Sequence, residues 1–228
     1  MNRFILFVGN AFNVNQYGFV FTINALFPNY VGYGRFPRQI LFRSLLTVKN
    51  QDDLDNLCRN LPSAFGFSIN CGFIQESYLL NYEIGSNLNI NNENYVSKCV
   101  IINEEQKSEN IKGDCSVLNN LIHYNHYERL NKLIPEQETL DSTFHRWKRG
   151  QQFGEISTID DALHLLGDNE NKFYPIFRSP NDIDHSTVTL ATVHINFHTL
   201  EFIVYEQNPK ENKLPTFIYD LKTLLSNC

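Results

Sequence analysis

The sequence lacks the patterns on which several classes of protein depend. Its five cysteines, Cys58, Cys71, Cys99, Cys115 and Cys228, are an odd number, with no CxxC pair and no spacing typical of a metal site. We therefore expect buried free thiols and a reducing compartment. The chain is rich in asparagine but has no Asn-x-Ser/Thr acceptor for glycosylation. This absence agrees with a cytoplasmic location.

The features that membranes and nucleic acids would require are also missing. The apolar run within residues 1–10 is too short for a signal peptide, and no run approaches the roughly 20 apolar residues of a membrane span. The net charge is -6, and the 19 lysines and arginines are scattered rather than clustered. Such a chain offers no basic surface to nucleic acid or to an anionic membrane. We expect neither as a partner.

The composition that is present suits one folded domain. The chain has 228 residues, of which 42% are hydrophobic. That is enough for one sizeable core without disulfides or a structural metal. The 18 phenylalanines and 11 tyrosines favour strands over helices. We therefore expect a single domain over residues 1–228.

The pattern of apolar residues predicts an order of strands and helices. Strands are predicted first, then two amphipathic helices, more strands, more helices and a final meander of strands. This order predicts an α+β fold in which helices cover antiparallel sheets. The predicted strands are 3–9, 18–26, 65–73, 77–84, 95–102, 117–124, 188–197, 199–206 and 216–222, and the helices are 37–46, 51–61, 127–133, 136–149 and 157–166.

The stretch "LIHYNHYERL" at 121–130 concentrates polar side chains at the end of a predicted strand. Three explanations compete. The first is a metal site built on His123 and His126, but a spacing of three sends them to opposite faces of a strand, and no third ligand has a familiar spacing. The second is a nucleophile pair such as Cys115 with His123. The third makes Asn125 a hydrogen-bond donor, and the residues alone leave the choice open.

This stretch resembles the "HTNH" segment of the acyltransferase and amide-hydrolase family that includes isopenicillin N acyltransferase. That family is peptidase family C45 of the N-terminal-nucleophile (Ntn) hydrolases. The similarity extends along nearly the whole chain, and insect β-alanyl-amine hydrolases of the Tan type are the members most similar in style. The other matching segments are 13–28 ("GFNSAGVAVNYNAL" in the family), 36–46 ("GVP…R.AL"), 65–85 (a strand pair ending in Leu-Glu), 142–150 ("S…R…R"), 172–180 ("YP…CR") and 186–209 ("ATL" to "NP").

The resemblance implies an Ntn-hydrolase-like αββα sandwich and acyl transfer from a small acyl amide, without a cofactor. In the family a cysteine freed by self-cleavage attacks the amide, and its own α-amine acts as the base. Asn125 matches the family's side-chain donor to the oxyanion of the tetrahedral intermediate. Asn24 matches an asparagine that lines the same oxyanion hole in related hydrolases. Asparagine suits this task because its NH₂ group donates without titrating.

The resemblance also implies two contacts with the substrate. Glu83 stands at the acidic position of the Leu-Glu element. The family's arginine before the "ATL" segment is replaced here by Ser186, and Arg178 or His185 would have to take its place. We therefore expect Glu83 and Arg178 to bind substrate.

The resemblance does not reach the family's nucleophile. In the family this cysteine precedes the block that matches 13–28 by several dozen residues, and none of the five cysteines occupies its position. We expect a fold that is incomplete at its N-terminus and a chain that has no amidase activity by itself. In one hypothesis, a missing N-terminal segment or a partner chain supplies the nucleophile. In the other, the chain is a pseudoenzyme that binds a small amide or a protein partner without turnover.

Overall fold

The structure is a computed structural model that describes residues 11–76, 78–87, 93–101, 116–118, 121–137, 141–180, 182 and 187–226. The described residues form two compact units, one within Met1–Thr139 and the other within Leu140–Asn227. Each unit combines helices with a sheet. The protein is therefore an α+β protein, as predicted. The single domain and the αββα sandwich stay predictions.

The first unit is built on a six-stranded sheet in which the strands are neighbours in chain order. The first five pair antiparallel, while the sixth runs parallel to the fifth. Four of these strands were predicted within two residues, and the strand predicted at 3–9 lies outside the described residues. The strands are β1 (Phe12–Val14), β2 (Phe19–Leu26), β3 (Gly66–Phe73), β4 (Leu79–Gly85), β5 (Tyr95–Ile101) and β6 (Ser116–Leu118).

Two helices, α1 (Arg38–Leu45) and α2 (Gln51–Asn60), cover one face of this sheet, and both confirm the predictions. Pro37 precedes α1, where a missing backbone N–H does no harm. The side chain of Asn50 caps α2 by accepting from the N–H of Asp53 at 2.9 Å. The apolar sides of both helices pack with alternate residues of the strands into one buried core. Its members include Phe19, Phe21, Leu41, Phe42, Leu45, Leu54, Cys58, Phe67, Ile69, Tyr82 and Ile84.

The segment 121–137 corrects two predictions. A strand was predicted to 124 and a helix at 127–133, but β6 ends at Leu118 and residues 121–137 form bends and turns. A single turn forms here instead. The N–H groups of Leu133 and Ile134 both donate to the carbonyl oxygen of Leu130, and Pro135, which has no N–H to continue a helix, follows this turn. The N–H groups of residues 128, 129 and 130 donate to the carboxylate of Glu83, which ties the turn to β4.

The second unit contains helices α3 (Asp141–Gly150) and α4 (Ile159–Leu166), then a three-stranded antiparallel sheet. The predicted meander is confirmed as β7 (Thr192–Asn196), β8 (Glu201–Tyr205) and β9 (Phe217–Asp220). Thr158 caps α4 in a reciprocal capping box with Asp161. A last helix, α5 (Leu221–Ser226), was predicted in part as strand. The strand ends there because the Asp220 side chain accepts from the N–H of Lys222 at 2.9 Å, as an N-cap does.

The helices of both units are short. Among the described residues, no helix is long and apolar enough to cross a membrane.

Candidate active site

The two faces of the six-stranded sheet differ in character, because side chains alternate along each strand. The face away from α1 and α2 carries Thr22 and Asn24 on β2, and we call it the polar face. The strand register places Asn24, Ser68, Glu83 and Ser97 in one row across four strands. The neighbouring row contains Thr22, Asn70, Asn81 and Cys99. Ser68, Asn81 and Glu83 are fully buried, so their polar atoms require partners within the protein.

Hydrogen bonds connect the polar face into a chain that ends at Asn24. Arg129 donates from Nη2 to Oδ1 of Asn81. The Nδ2 of Asn81 donates to Oδ1 of Asn70 at 2.7 Å and to Oγ of Ser68 at 3.0 Å. Asn70 in turn donates to Oδ1 of Asn24 at 3.4 Å. The oxygen of Asn24 is thus the acceptor, and its NH₂ group is a donor.

Part of the polar face is covered by residues 121–137, which we call the covering segment. Its Tyr127 and Ile134 are buried and pack with Leu26 in a small second core. The covering segment comes so close to the sheet that a β-carbon at Gly66 would overlap the hydroxyl of Tyr127. A β-carbon at Gly85 would overlap the side chain of Ile134 in the same way. These two glycines therefore make room for the covering segment.

Glu83 joins the polar face to the covering segment. Its Oε1 accepts from the N–H of Glu128 at 2.9 Å, and its Oε2 accepts from the N–H groups of Arg129 and Leu130 at 3.0 Å each. The ring of His123 lies 2.9 Å from Oε1. Burial alone would raise the pKa of Glu83, but His123, the charge of Arg129 and the backbone amides outweigh it and lower the pKa to about 2. Glu83 is therefore an ionised carboxylate inside the protein.

The two histidines of the motif have different surroundings. The side chain of His123 is 0% exposed and binds Glu83. His126 is half-buried and stacks on Tyr124, with ring centroids 6.3 Å apart. The prediction that the two histidines lie on opposite faces of a strand loses its premise, because this segment is not a strand. Across the described ranges, no group of three His, Cys, Asp or Glu side chains is placed to hold a metal ion.

Asn125 reaches back to β2. Its Nδ2 donates to the carbonyl oxygen of Ala25 at 3.0 Å. Ala25 follows Asn24 in the chain, so the structure brings the two predicted oxyanion donors to the same part of β2. Each amide makes a hydrogen bond to the protein, Asn24 through its oxygen and Asn125 through its nitrogen. Their roles in catalysis stay predictions.

Arg178 lies in the second unit among hydroxyl groups. Its Nη2 donates to Oγ of Ser142 at 2.5 Å, and its Nη1 donates to the hydroxyl of Thr187. Arg146 approaches the same Ser142 oxygen at 3.4 Å. The substrate contacts predicted for Arg178 and for Glu83 stay predictions, and His185 and Ser186 lie outside the described residues.

The described thiols are poor candidates for a nucleophile. Cys58, Cys71 and Cys99 are buried, and Cys58 and Cys71 are free thiols, as predicted. Burial raises the pKa of Cys58 and of Cys71 far above its ordinary value. A buried thiol of high pKa is not converted to the reactive thiolate near neutral pH. Cys115 and Cys228 lie outside the described residues.

Several polar-face residues were not identified from the sequence, Asn70, Asn81 and Arg129 among them. A usable pattern was present, since polar residues alternate with apolar ones in "FGFSINCGF" and "LLNYEIG". Such alternation normally indicates a face turned to water. Here the same pattern marks a face that is largely buried and internally hydrogen-bonded.

Comparisons with known proteins found two similarities. The family model described as acyl-coenzyme A:6-aminopenicillanic acid acyl-transferase matches residues 4–211. A curated relative, the beta-alanyl-dopamine/carcinine hydrolase of Drosophila melanogaster, is 23% identical over 210 residues. The matched region covers 90% of this chain and 50% of the relative, so the chain spans about half the length of that protein.

Proposed function

The chain belongs to the acyl-coenzyme A:6-aminopenicillanic acid acyl-transferase family, peptidase family C45, and from this premise we propose that it carries the oxyanion-stabilising part of an amide hydrolase. The proposed substrates are small acyl amides, and β-alanyl amines are the proposed class. One observation carries the proposal: Asn125 donates to the carbonyl oxygen of Ala25, the residue after Asn24, and the amides of both asparagines are hydrogen-bonded to the protein.

The chemistry explains why two fixed amides matter. Attack on an amide carbonyl places negative charge on oxygen in the tetrahedral intermediate. Donors that already point at this position stabilise the charge without reorganisation, and the loss of one such donor costs on the order of 10²–10³ in rate. Side-chain NH₂ groups donate over the whole physiological pH range. The hydrogen bonds from Asn70 and to Ala25 support such preorganisation.

The proposed nucleophile is a cysteine that is not among the five of this chain and that an N-terminal segment or a partner chain supplies. The three described cysteines are buried, and burial disfavours the thiolate that must attack. By family resemblance the attacking thiol forms a bond to the carbonyl carbon, the amine leaves with a proton, and water then releases the acid.

The substrate class follows from the relative. The beta-alanyl-dopamine/carcinine hydrolase is named for two β-alanyl amines. The test measures binding of β-alanyl-dopamine to the chain by NMR, and follows the release of β-alanine when the segment or partner chain that supplies the nucleophile is present. The chain by itself should bind without release. In the presence of the nucleophile, release should occur and iodoacetamide should abolish it. Asn24→Ala should lower kcat by on the order of 10²-fold, and Ile23→Ala, which removes a neighbour on the other face of β2, should not change kcat.

Each result has a defined meaning. Release that survives alkylation would overturn a cysteine mechanism. Binding without release in the presence of the nucleophile would support the alternative of a pseudoenzyme that holds a small amide. The absence of both binding and release would reject the proposal.

A further inference from the structure

The carboxylate of Glu83 is completely engaged within the protein. It accepts four hydrogen bonds, from the ring of His123 and from the backbone N–H groups of residues 128, 129 and 130. An ionised carboxylate offers about four such positions. The side chains of Glu83 and His123 are both 0% exposed. A group with this geometry is placed to hold protein atoms rather than a substrate.

These contacts bracket Asn125 in the sequence. His123 precedes it by two residues, and the three bound amides follow it by three to five residues. The backbone on both sides of Asn125 is therefore tied to one carboxylate on β4. Glu83 also stands in the same row of the sheet as Asn24, with Ser68 between them. One fixed point on the sheet thus sets the position of the covering segment relative to Asn24.

The ring of His123 is held from two sides. Its Nδ1 lies 2.6 Å from the carbonyl oxygen of Tyr124, and its Nε2 lies 2.9 Å from Oε1 of Glu83. The ring therefore connects the backbone of the covering segment to the carboxylate on β4.

We propose that Glu83 is a positioning residue that fixes the amide of Asn125 through His123 and the backbone of residues 128–130. The proposal rests on the function proposed above, in which Asn125 is an oxyanion donor. It assigns to Glu83 a role that differs from the substrate contact implied by family resemblance. The carboxylate acts through the covering segment and touches no reacting atom.

The experiment compares Glu83→Gln with a matched control, Asp55→Asn. Asp55 is another carboxylate of the first unit, which accepts from the hydroxyl of Tyr82 at 2.7 Å and pairs with Lys98 at 3.0 Å. It lies on the helix-covered side of the sheet. In the ¹⁵N-labelled chain, the side-chain amide of Asn125 is identified by its absence from the spectrum of Asn125→Ala. This measurement requires no catalytic activity.

Glu83→Gln should shift the Asn125 amide signal and accelerate hydrogen exchange at residues 128–130 by at least about tenfold, because their acceptor is weakened. Where turnover is measured, kcat should fall about 10–100-fold with KM little changed, since small misplacements of a catalytic group are costly. Asp55→Asn should change neither signal nor kcat. If Glu83→Gln does not fold, His123→Gln keeps the carboxylate and should still shift the Asn125 signal.

The outcomes separate the two proposals. An unchanged Asn125 signal in folded Glu83→Gln, or in His123→Gln where it is the variant measured, overturns the positioning role. A raised KM with unchanged kcat also overturns it and returns Glu83 to substrate binding. If the signals shift as expected but the wild-type protein neither binds nor hydrolyses the amide, positioning is supported and the proposed function fails.

Discussion

The two faces of the six-stranded sheet use the same strands for opposite purposes. On the helix-covered face, Phe67 and Ile69 of β3 are buried in a continuous apolar core. On the polar face, Ser68 of the same strand is equally buried, yet it lies in a hydrogen-bonded row between Asn24 and Glu83. Burial alone therefore does not tell the two faces apart. The apolar face is stabilised by the removal of apolar surface area from water. The polar face is stabilised by hydrogen bonds between its buried polar groups.

The difference between the two faces indicates which substitutions each face tolerates. A substitution that shortens a side chain of an apolar core lowers stability in proportion to the volume removed, but it leaves no polar group without a partner. A paired polar face leaves a buried donor or acceptor unsatisfied whenever one member is deleted. We expect substitutions on the first face to change stability and substitutions on the second to change function as well.

The largest expected effect is on the helix-covered face. Phe67→Ala should lower the free energy of unfolding by about 3–5 kcal/mol, because it leaves a cavity beside Phe42, whose ring lies 5.3 Å away. Denaturant unfolding measures this loss. Leu79→Ala at an exposed position of β4 should cost less than about 1 kcal/mol. Ligand binding that changes in Phe67→Ala at an equal folded fraction would contradict the division between the faces.

On the polar side, Asn125→Ala should lower kcat by on the order of 10²–10³, which is about 3–4 kcal/mol of transition-state stabilisation. Substrate binding should change little, because the donor acts on charge that appears only in the transition state. Asn125→Asp should be worse, since a carboxylate repels the oxyanion. His126→Ala serves as the control. A greater loss of kcat in His126→Ala than in Asn125→Ala would show that the oxyanion assignment is wrong.

Asn81 tests the hydrogen-bonded chain of the polar face. Asn81→Ala should destabilise the protein by about 1–3 kcal/mol, because Arg129 and Asn70 each lose a buried partner. Asn24 should also lose its fixed orientation, so kcat should fall although Asn81 touches no substrate. Asn60→Ala, an exposed asparagine on α2, should change neither quantity. Equal stability of both variants would argue against a connected chain.

The last prediction concerns pH, because the pKa values of two carboxyl groups shift in opposite directions. The pKa of Glu83 is lowered to about 2, so its stabilisation is present above the unfolded value near 4.5 and is lost as the pH falls toward 2. Burial raises the pKa of Glu136 to about 7, so its contribution is lost as the pH rises from about 4.5 through 7. Unfolding followed over this range should show both losses. Glu136→Gln should remove only the loss at higher pH.

The sequence predicted the helices and strands of the first unit better than it predicted the contacts between them. The helices α1 and α2 and the strands β2 to β5 follow from local periodicity and caps, which act over a few residues. The covering segment was predicted wrongly, because its backbone path depends on contacts with distant residues, such as the hydrogen bonds of its amides to Glu83 on β4. The prediction of Asn24 and Asn125 came from family resemblance, while Asn70, Asn81 and Arg129 had no such guide.

The sequence by itself determined which side chains share a face of the sheet, because alternation along a strand is a property of the local backbone. Only the tertiary structure decided that the polar face is buried and what its members bind. His123 and Glu83 are 40 residues apart in the chain, and Asn125 and Ala25 are 100 apart. Contacts over such separations depend on how strands and segments pack, so no local pattern could specify them. The alternation of polar and apolar residues predicts a face exposed to water, but in the structure these polar side chains are largely buried and hydrogen-bonded to one another.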